Sequence, residues 1–164
     1  MNVYVEDIIR LLIAIAVGGL IGLEREFRDK DAGFRTLILI CSGSALFSIF
    51  SFRLTPPGGD PTRILSNIVT GVGFLGAGVI LHMNNRSIRG VTTAATIWLV
   101  AALGMGIGSG QILYSIIGAG IILFVLLAFP LLEKRISQLV ESRTYEITTG
   151  QDLKFPGELR KLFQ

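Results

Sequence analysis

Residues Gly90–Leu132 read GVTTAATIWLVAALGMGIGSGQILYSIIGAGIILFVLLAFPLL and contain no Asp, Glu, Lys or Arg. A helix of a soluble protein needs a polar face toward water, and this stretch offers none. Its one polar interruption is Gly108-Ser-Gly-Gln111, which has the composition of a tight turn. The two halves are each close to the ~17–25 residues that a membrane-spanning helix requires, so the stretch predicts two spans joined by a short turn.

Three further apolar runs precede this stretch, and charges occur almost only between the runs. We therefore predict an all-α integral membrane protein with five transmembrane helices. The predicted spans are Ile8–Leu23, Thr36–Phe52, Ile64–Leu81, Val91–Ile107 and Ile112–Leu132. The first two are at the short end of the range for a span.

The basic residues are distributed unevenly between the two sides that five spans would create. Positive residues concentrate on the cytoplasmic side of membrane proteins, so the richer side is predicted to be cytoplasmic. This places the N-terminus outside and the C-terminus inside. The richer side carries Arg25, Arg28, Lys30, Arg35, Arg86, Arg89, Lys134, Arg135 and Arg143, and the poorer side carries Arg10, Arg53 and Arg63.

The chain changes character after the fifth run. We assign residues 1–135 to the transmembrane domain and residues 136–164 to a cytoplasmic linker and the beginning of a soluble domain. Thr144–Thr149 alternates like a short strand, and Phe155–Phe163 is typical of the opening of an amphipathic helix. One strand and one helical turn cannot bury a core, so we favour the start of a domain that continues beyond this chain.

Small residues recur at intervals of four in several runs, as in Ala14, Gly18 and Gly22. Such stripes let helix backbones approach closely in a membrane, and a groove lined by glycine is the alternative. Gly71-Val-Gly-Phe-Leu-Gly76 matches a dinucleotide-binding pattern by letter, but it lies inside an apolar span, and no carboxylate follows it before Glu133. The residues predicted to serve helix packing are Gly18, Gly22, Gly71, Gly73, Gly76 and Gly78.

Charged residues at the ends of the spans are the first candidates for a site. Glu24 and Arg25 close the first run and Arg35 precedes the second, and Glu24 could meet Arg35 across the loop. A structural clamp at the membrane edge and a cation or partner site both remain open. At the third run, Asp60 could cap the helix with Arg63 as its partner, or the two could belong to an external site.

Polar residues inside the runs are the second group. Asn67 and Thr70 share a face of the third run, and Thr92, Thr93 and Thr96 lie close together in the segment from Arg89 to Trp98. Hydrogen bonds between helices are the ordinary use of such groups, and a polar pathway is the alternative. The candidates for partner or ion binding are Glu24, Arg25, Arg35, Asp60, Arg63, Asn67, Thr70, Arg89, Thr92, Thr93, Thr96 and Trp98.

The sequence contains no Ser/His/Asp set, no Cys/His cluster and no acidic residue within a predicted span. We therefore expect a protein that is not an enzyme and that needs no cofactor. Mg²⁺ could bind carboxylates at a span end, but no clear site is present. An ion transporter would usually place an acidic residue within a span, so its absence counts against transport.

Six blocks resemble the MgtC/SapB family in the order in which that family carries them. They are Gly22–Glu26, Ala32–Thr36, Gly43–Phe47, Asp60–Arg63, Val69–Gly78 and Arg89–Trp98. The resemblance implies a bacterial inner-membrane protein with five spans, often followed by a small ACT-like cytoplasmic domain. It also implies a link to Mg²⁺ homeostasis and growth at low Mg²⁺.

The resemblance further implies a regulatory role on other membrane proteins, such as a transport ATPase or the ATP synthase. Our leading hypothesis is such a binding protein, embedded in the lipid bilayer, assembled as a homodimer and without nucleic acid as a partner. The alternative hypothesis is a transporter or channel for Mg²⁺ or another ion. It would need a polar route, for which Asn67, Thr70, Thr92, Thr93 and Thr96 are the available lining.

Overall fold

The computed structural model describes residues 3–81 and 89–139, and these residues fold into α-helices joined by short connections. The predicted all-helical class is confirmed for this part of the chain. The helices are α1 (Val3–Phe27), α2 (Phe34–Leu54), α3 (Thr62–Leu81), α4 (Val91–Gly108) and α5 (Ile112–Leu139). The predicted strand at 144–149 and the predicted helix at 155–163 lie outside the described residues.

Four of these helices are long and apolar enough to cross a membrane. The spanning segments are Phe34–Leu54, Thr62–Ile80, Val91–Gly108 and Ile112–Leu132. They match the second to fifth predicted spans to within two residues at each end, so the chain is a multi-pass membrane protein. The first predicted span lies within α1, a helix of 25 residues. This helix is long enough to cross a membrane, but it carries charged residues near both ends and is not among the four apolar spanning segments.

Local residues fix where two of the helices begin. Gly90 precedes α4 with a positive φ of 84°, a left-handed conformation that glycine adopts without a steric penalty. A side chain there would also meet the backbone carbonyl of Val79 at 3.1 Å. Before α3, the Asp60 carboxylate accepts hydrogen bonds from the backbone N–H of Thr62 at 2.8 Å and from its hydroxyl at 2.6 Å.

Helices α1, α2 and α4 form the centre of the fold, with α2 between the other two. Their contacts bury Ile21, Leu37, Cys41, Val100 and Ile107 almost completely. Lipid is as apolar as these side chains, so close packing rather than water exclusion holds such helices together. That packing depends on glycine.

Glycines of α1 and α4 bring the backbones of these helices against α2. A Cβ at Gly18 would lie 2.7 Å from the Leu37 carbonyl oxygen, and one at Gly22 would lie 2.8 Å from the Phe34 Cα. From the other side, a Cβ at Gly104 would lie 3.0 Å from the Cys41 carbonyl carbon. Real Cβ atoms do not approach so closely, so only glycine permits these two crossings.

The remaining two helices lie outside this centre. Helix α3 contacts α4 and α2, and Gly76 faces Ala94 of α4 at ordinary contact distance. In α5, Gly118 lies against Leu103 of α4. The chain divides into a compact unit Met1–Leu131 and a second unit Leu132–Gln164, of which the described residues are the last turns of α5. The predicted domain boundary at residue 135 stays a prediction.

Candidate functional site

A buried charged cluster lies where α1 ends and α4 begins. Arg25 is 3% exposed, and its Nη2 donates a hydrogen bond to the Thr93 hydroxyl at 2.8 Å. Glu24 is 8% exposed, and its Oε1 lies 2.5 Å from Arg28 Nε. That approach lacks hydrogen-bond geometry, so both Glu24 oxygens are without a donor among the described residues. Among the described residues of the cluster, Arg25 makes the hydrogen bond that ties α1 to α4.

The predicted contact between Glu24 and Arg35 is wrong. Helix α1 continues to Phe27, so Arg28 lies one turn after Glu24 and becomes its ion-pair partner. Glu26 closes the loop instead, because its Oε2 accepts a hydrogen bond from the Phe34 backbone N–H at 3.0 Å. Arg35 is exposed and lines an open polar depression beside Lys30 and Asp31.

A second charged cluster lies at the opposite end of α1, and sequence reasoning missed it. Arg53 of α2 donates to Asp7 Oδ2 from Nη2 at 2.8 Å and from Nε at 3.0 Å. Arg10 pairs with Glu6 and also donates from Nη1 to the Gly108 carbonyl at 3.1 Å, which satisfies the end of α4. The i,i+4 spacing of Glu6 and Arg10 was the one signal that could have pointed to it.

Asp60 caps α3 as expected, but Arg63 is not its partner. The donors are the N–H and hydroxyl of Thr62, and no ion pair between Asp60 and Arg63 forms in the described structure. These hydrogen bonds hold the pKa of the Asp60 carboxyl below its ordinary value. Arg63 is exposed at the first turn of α3.

The polar residues of the spans do not share one cavity. Thr93 faces α1 and binds Arg25, whereas Thr96 donates to the Thr92 carbonyl of its own helix at 2.8 Å. Thr70 likewise donates to the Ser66 carbonyl at 3.2 Å. Asn67 is exposed on α3 and makes no hydrogen bond to a described residue. Arg89, which precedes α4, and Trp98 of α4 are both exposed.

Two apolar grooves run along the surface of the bundle. The groove between α4 and α5 has a volume of about 380 Å³, and Thr92, Thr96 and Leu99 lie on its α4 side. The groove between α2 and α3 has a volume of about 480 Å³, and Asn67 is the amide among its lining residues. Asn67 therefore lines a different groove from Thr92 and Thr96.

The predicted packing glycines separate into two groups. Gly18 and Gly22 lie against α2, and Gly76 lies against α4. Gly71, Gly73 and Gly78 of α3 face open space, since a Cβ at any of them would meet no atom within 4 Å. The first group packs against other helices, whereas the second meets none of the residues that the structure describes.

No cluster of three metal-binding side chains occurs among the residues that the structure describes. The depression near Arg35 has a volume of about 640 Å³, and it carries acidic and basic groups together. A carboxylate pair with nearby lysine and arginine is a poor site for Mg²⁺, because the basic groups compete with the ion.

Comparison with known proteins identifies the family. The MgtC family matches residues 11–135, which include most of α1 and the apolar parts of the other four helices. The chain belongs to the MgtC family. It is 49% identical over 138 residues to the protein named "Putative magnesium transporter YhiD" of Escherichia coli (strain K12). It is 41% identical over 132 residues to MgtC of Salmonella typhimurium (strain LT2) and 38% identical over 146 residues to MgtC of Brucella abortus.

These alignments cover most of the chain but not most of the relatives. The alignment with YhiD includes 80% of this chain and 64% of YhiD. The alignment with MgtC of Salmonella typhimurium includes 80% of this chain and 56% of that protein. The alignment with MgtC of Brucella abortus includes 88% of this chain and 60% of that protein. The chain therefore spans about three fifths of the length of these MgtC family members. No solved structure is similar to it at a significant level.

Proposed function

We propose that this MgtC family member is a regulatory protein of the bacterial inner membrane that binds other membrane proteins. Its physiological setting would be Mg²⁺ homeostasis and adaptation to low Mg²⁺, as the family resemblance implies. Helix α1 would complete five spans, with the N-terminus outside and the basic α1–α2 loop in the cytoplasm. A transport ATPase or the ATP synthase is the class of partner that the resemblance suggests.

One observation carries this proposal: several buried hydroxyls of the described spans form hydrogen bonds locally instead of lining a route. Thr96, Ser48 and Ser115 each donate to a carbonyl one turn earlier in their own helix. Thr93 is occupied by Arg25. A path for a hydrated or partly dehydrated Mg²⁺ needs several oxygen ligands facing one space, and these groups do not supply it.

Surface features also support binding over transport. The grooves beside α3 and α5 are apolar and open toward the lipid, as a surface for another transmembrane helix would be. Three glycines of α3 leave room for close approach by such a helix. The alternative function is Mg²⁺ transport, and it is supported by the name "Putative magnesium transporter YhiD" of one relative.

Mg²⁺ flux into sealed liposomes containing the purified protein tests the proposal, with a known Mg²⁺ channel as positive control. We expect no flux above empty liposomes. In parallel, the gene should support growth at low Mg²⁺ in a bacterial strain that lacks its own family member. Mg²⁺ flux that disappears in the Asn67→Leu/Thr92→Val variant would show that the protein is a transporter. If the gene does not restore growth at low Mg²⁺, the proposed link to Mg²⁺ homeostasis is refuted.

A further inference from the structure

The polar depression at the α1–α2 loop is bordered by charges of both signs that do not pair with each other. Its lining includes Glu26, Lys30, Asp31 and Arg35. The last three are exposed, and none of them forms an ion pair with a described residue. Glu26 accepts the Phe34 N–H with Oε2, and its Oε1 has no hydrogen bond to a described residue. Two acidic and two basic groups therefore border one open space, and their formal charges cancel.

The backbone of the loop shapes this depression before any ligand arrives. The Lys30 N–H donates to the Arg25 carbonyl at 3.1 Å, which ties the start of the loop to the end of α1. Glu26 then joins the loop to the start of α2 through its hydrogen bond to Phe34 at 3.0 Å. A Cβ at Gly33 would collide with the Glu26 carboxylate, so this closure requires glycine.

The depression lies at the depth of the phospholipid headgroups. The spanning segment of α2 begins at Phe34, and its first three residues, Phe34, Arg35 and Thr36, all line the depression. Headgroups flank the hydrocarbon core of a bilayer at this level. Lipid phosphates and ammonium groups are therefore present beside the depression at high local concentration.

An apolar stripe of α1 connects the depression with the hydrocarbon. Leu20, Leu23 and Phe27 lie at positions i, i+3 and i+7, which share one face of a helix. All three are exposed, and Phe27 is 85% exposed. Leu23 also lines the depression. A ligand with acyl chains can place them along this stripe while its headgroup occupies the depression, and a soluble phosphate compound gains nothing from the stripe.

The side chains of the depression match a headgroup that carries both charges. A phosphate accepts hydrogen bonds from Lys30, Arg35 and the Thr36 hydroxyl. A primary ammonium has three N–H donors, which suit the Asp31 carboxylate. A headgroup with negative charge alone would be repelled by Glu26 and Asp31. A quaternary ammonium has no N–H to donate to them.

We propose that this depression binds a phospholipid whose headgroup joins a phosphate to a primary ammonium, with Lys30, Arg35 and Thr36 on the phosphate and Asp31 on the ammonium. Its volume of about 640 Å³ is within the range of ~300–1,000 Å³ that is usual for small-molecule sites. This assignment goes beyond the proposed regulatory function and does not depend on it, because it concerns a lipid instead of a protein partner or Mg²⁺.

Native mass spectrometry of the full chain, released from detergent micelles, gives the first test. The protein is titrated with phosphatidylethanolamine, phosphatidylcholine and phosphatidylglycerol that have the same acyl chains. Phosphatidylethanolamine should bind about threefold more tightly than either of the others, the effect expected of one exposed ion pair. Equal affinities for the three lipids would overturn the proposal. A preference for phosphatidylglycerol would overturn it as well and would assign the basic residues to anionic lipids.

Substitution of the acidic group tests the ammonium contact. Asp31→Asn should remove the preference for phosphatidylethanolamine over phosphatidylcholine. Asp29→Asn is the matched control, since Asp29 is an exposed acidic neighbour that does not line the depression, and this variant should keep the preference. A preference that survives Asp31→Asn, or that both variants lose, would refute the contact.

Substitution of the basic group tests the phosphate contact. Arg35→Gln should weaken phosphatidylethanolamine and phosphatidylcholine alike, by about threefold. Arg63→Gln should change neither affinity, because Arg63 is exposed at the same position of α3, the second residue, and lies outside the depression. Unchanged binding in Arg35→Gln, or an equal loss in Arg63→Gln, would contradict the assignment.

Competition with soluble phosphoethanolamine tests whether the ligand is a lipid. This compound has the headgroup without the acyl chains, so even an excess of it should leave phosphatidylethanolamine bound. Displacement at equal concentrations would overturn the lipid assignment in favour of a soluble phosphate compound. None of these readouts uses Mg²⁺ flux or growth, so a failure here is distinct from a failure of the proposed function.

Discussion

Arg25 at the end of α1 donates a hydrogen bond to the Thr93 hydroxyl in the first turn of α4, over 2.8 Å and across 68 residues of sequence. Both side chains are 3% exposed. A guanidinium held in such a place is costly unless it is hydrogen-bonded, so this contact fixes the distance between α1 and α4 at the membrane edge.

Thr93→Val keeps the shape of the side chain and removes the hydroxyl acceptor. We expect the free energy of unfolding to fall by about 1–3 kcal/mol, because the buried Arg25 loses its partner. Denaturant unfolding in detergent micelles measures this change. Thr92→Val is the matched control, since Thr92 is the exposed neighbour, and an equal loss in both variants would contradict the role of Arg25.

Gly18→Ala should destabilise the crossing of α1 and α2. Its Cβ would lie 2.7 Å from the Leu37 carbonyl oxygen and 2.8 Å from the Cys41 Cβ, so the helices must separate. Overpacking of this kind costs about 1–3 kcal/mol. Gly73→Ala, in open space on α3, should be neutral or stabilising by up to about 1 kcal/mol. Comparable melting temperatures for the two variants would refute the assignment.

The contact between Arg53 and Asp7 should be weak and sensitive to salt. Arg53 is 44% exposed, and exposed ion pairs contribute about 0.2–1 kcal/mol even with two hydrogen bonds. A double-mutant cycle with Asp7→Asn and Arg53→Gln measures this coupling. It should shrink as ionic strength rises, and a coupling that does not respond to salt would point to a dry environment.

The stabilisation of α3 by the Asp60 cap should depend on pH only under acidic conditions. Its folded-state pKa lies below the ordinary 3.8, so its contribution to stability is complete above that value and is lost as pH falls through the folded-state pKa. The stability difference between the wild type and Asp60→Ala should therefore narrow only below about pH 4. Asp60→Asn, an uncharged cap, should show a difference from Asp60→Ala that does not vary with pH.

Sequence reasoning predicted the helices well because hydrocarbon imposes one simple condition. A segment such as Ile112–Leu132 must satisfy its backbone internally, and only a helix does so within one segment. The ends were harder to place. Charged residues such as Glu6 and Glu24 stay inside α1, because a helix does not stop at the membrane boundary.

The site was less predictable because it depends on which helices become neighbours. Glycine spacing indicated close approach for Gly18 and Gly71 alike, yet one lies against α2 and the other faces outward. No local signal distinguishes them. The link between Arg25 and Thr93 equally requires the crossing of α1 and α4, whereas the Glu24–Arg28 pair was readable from its i,i+4 spacing.

Helix α2 is held from two sides by backbone-to-backbone contact, through Gly18 in α1 and Gly104 in α4. Such contact involves no side chain that could be exchanged for another, so the three-helix centre has little freedom to diverge. The outward glycines of α3 carry no such constraint from the described residues of the chain. Related proteins could therefore acquire new binding preferences by changing α3 alone, while keeping the same scaffold and the same insertion in the bilayer.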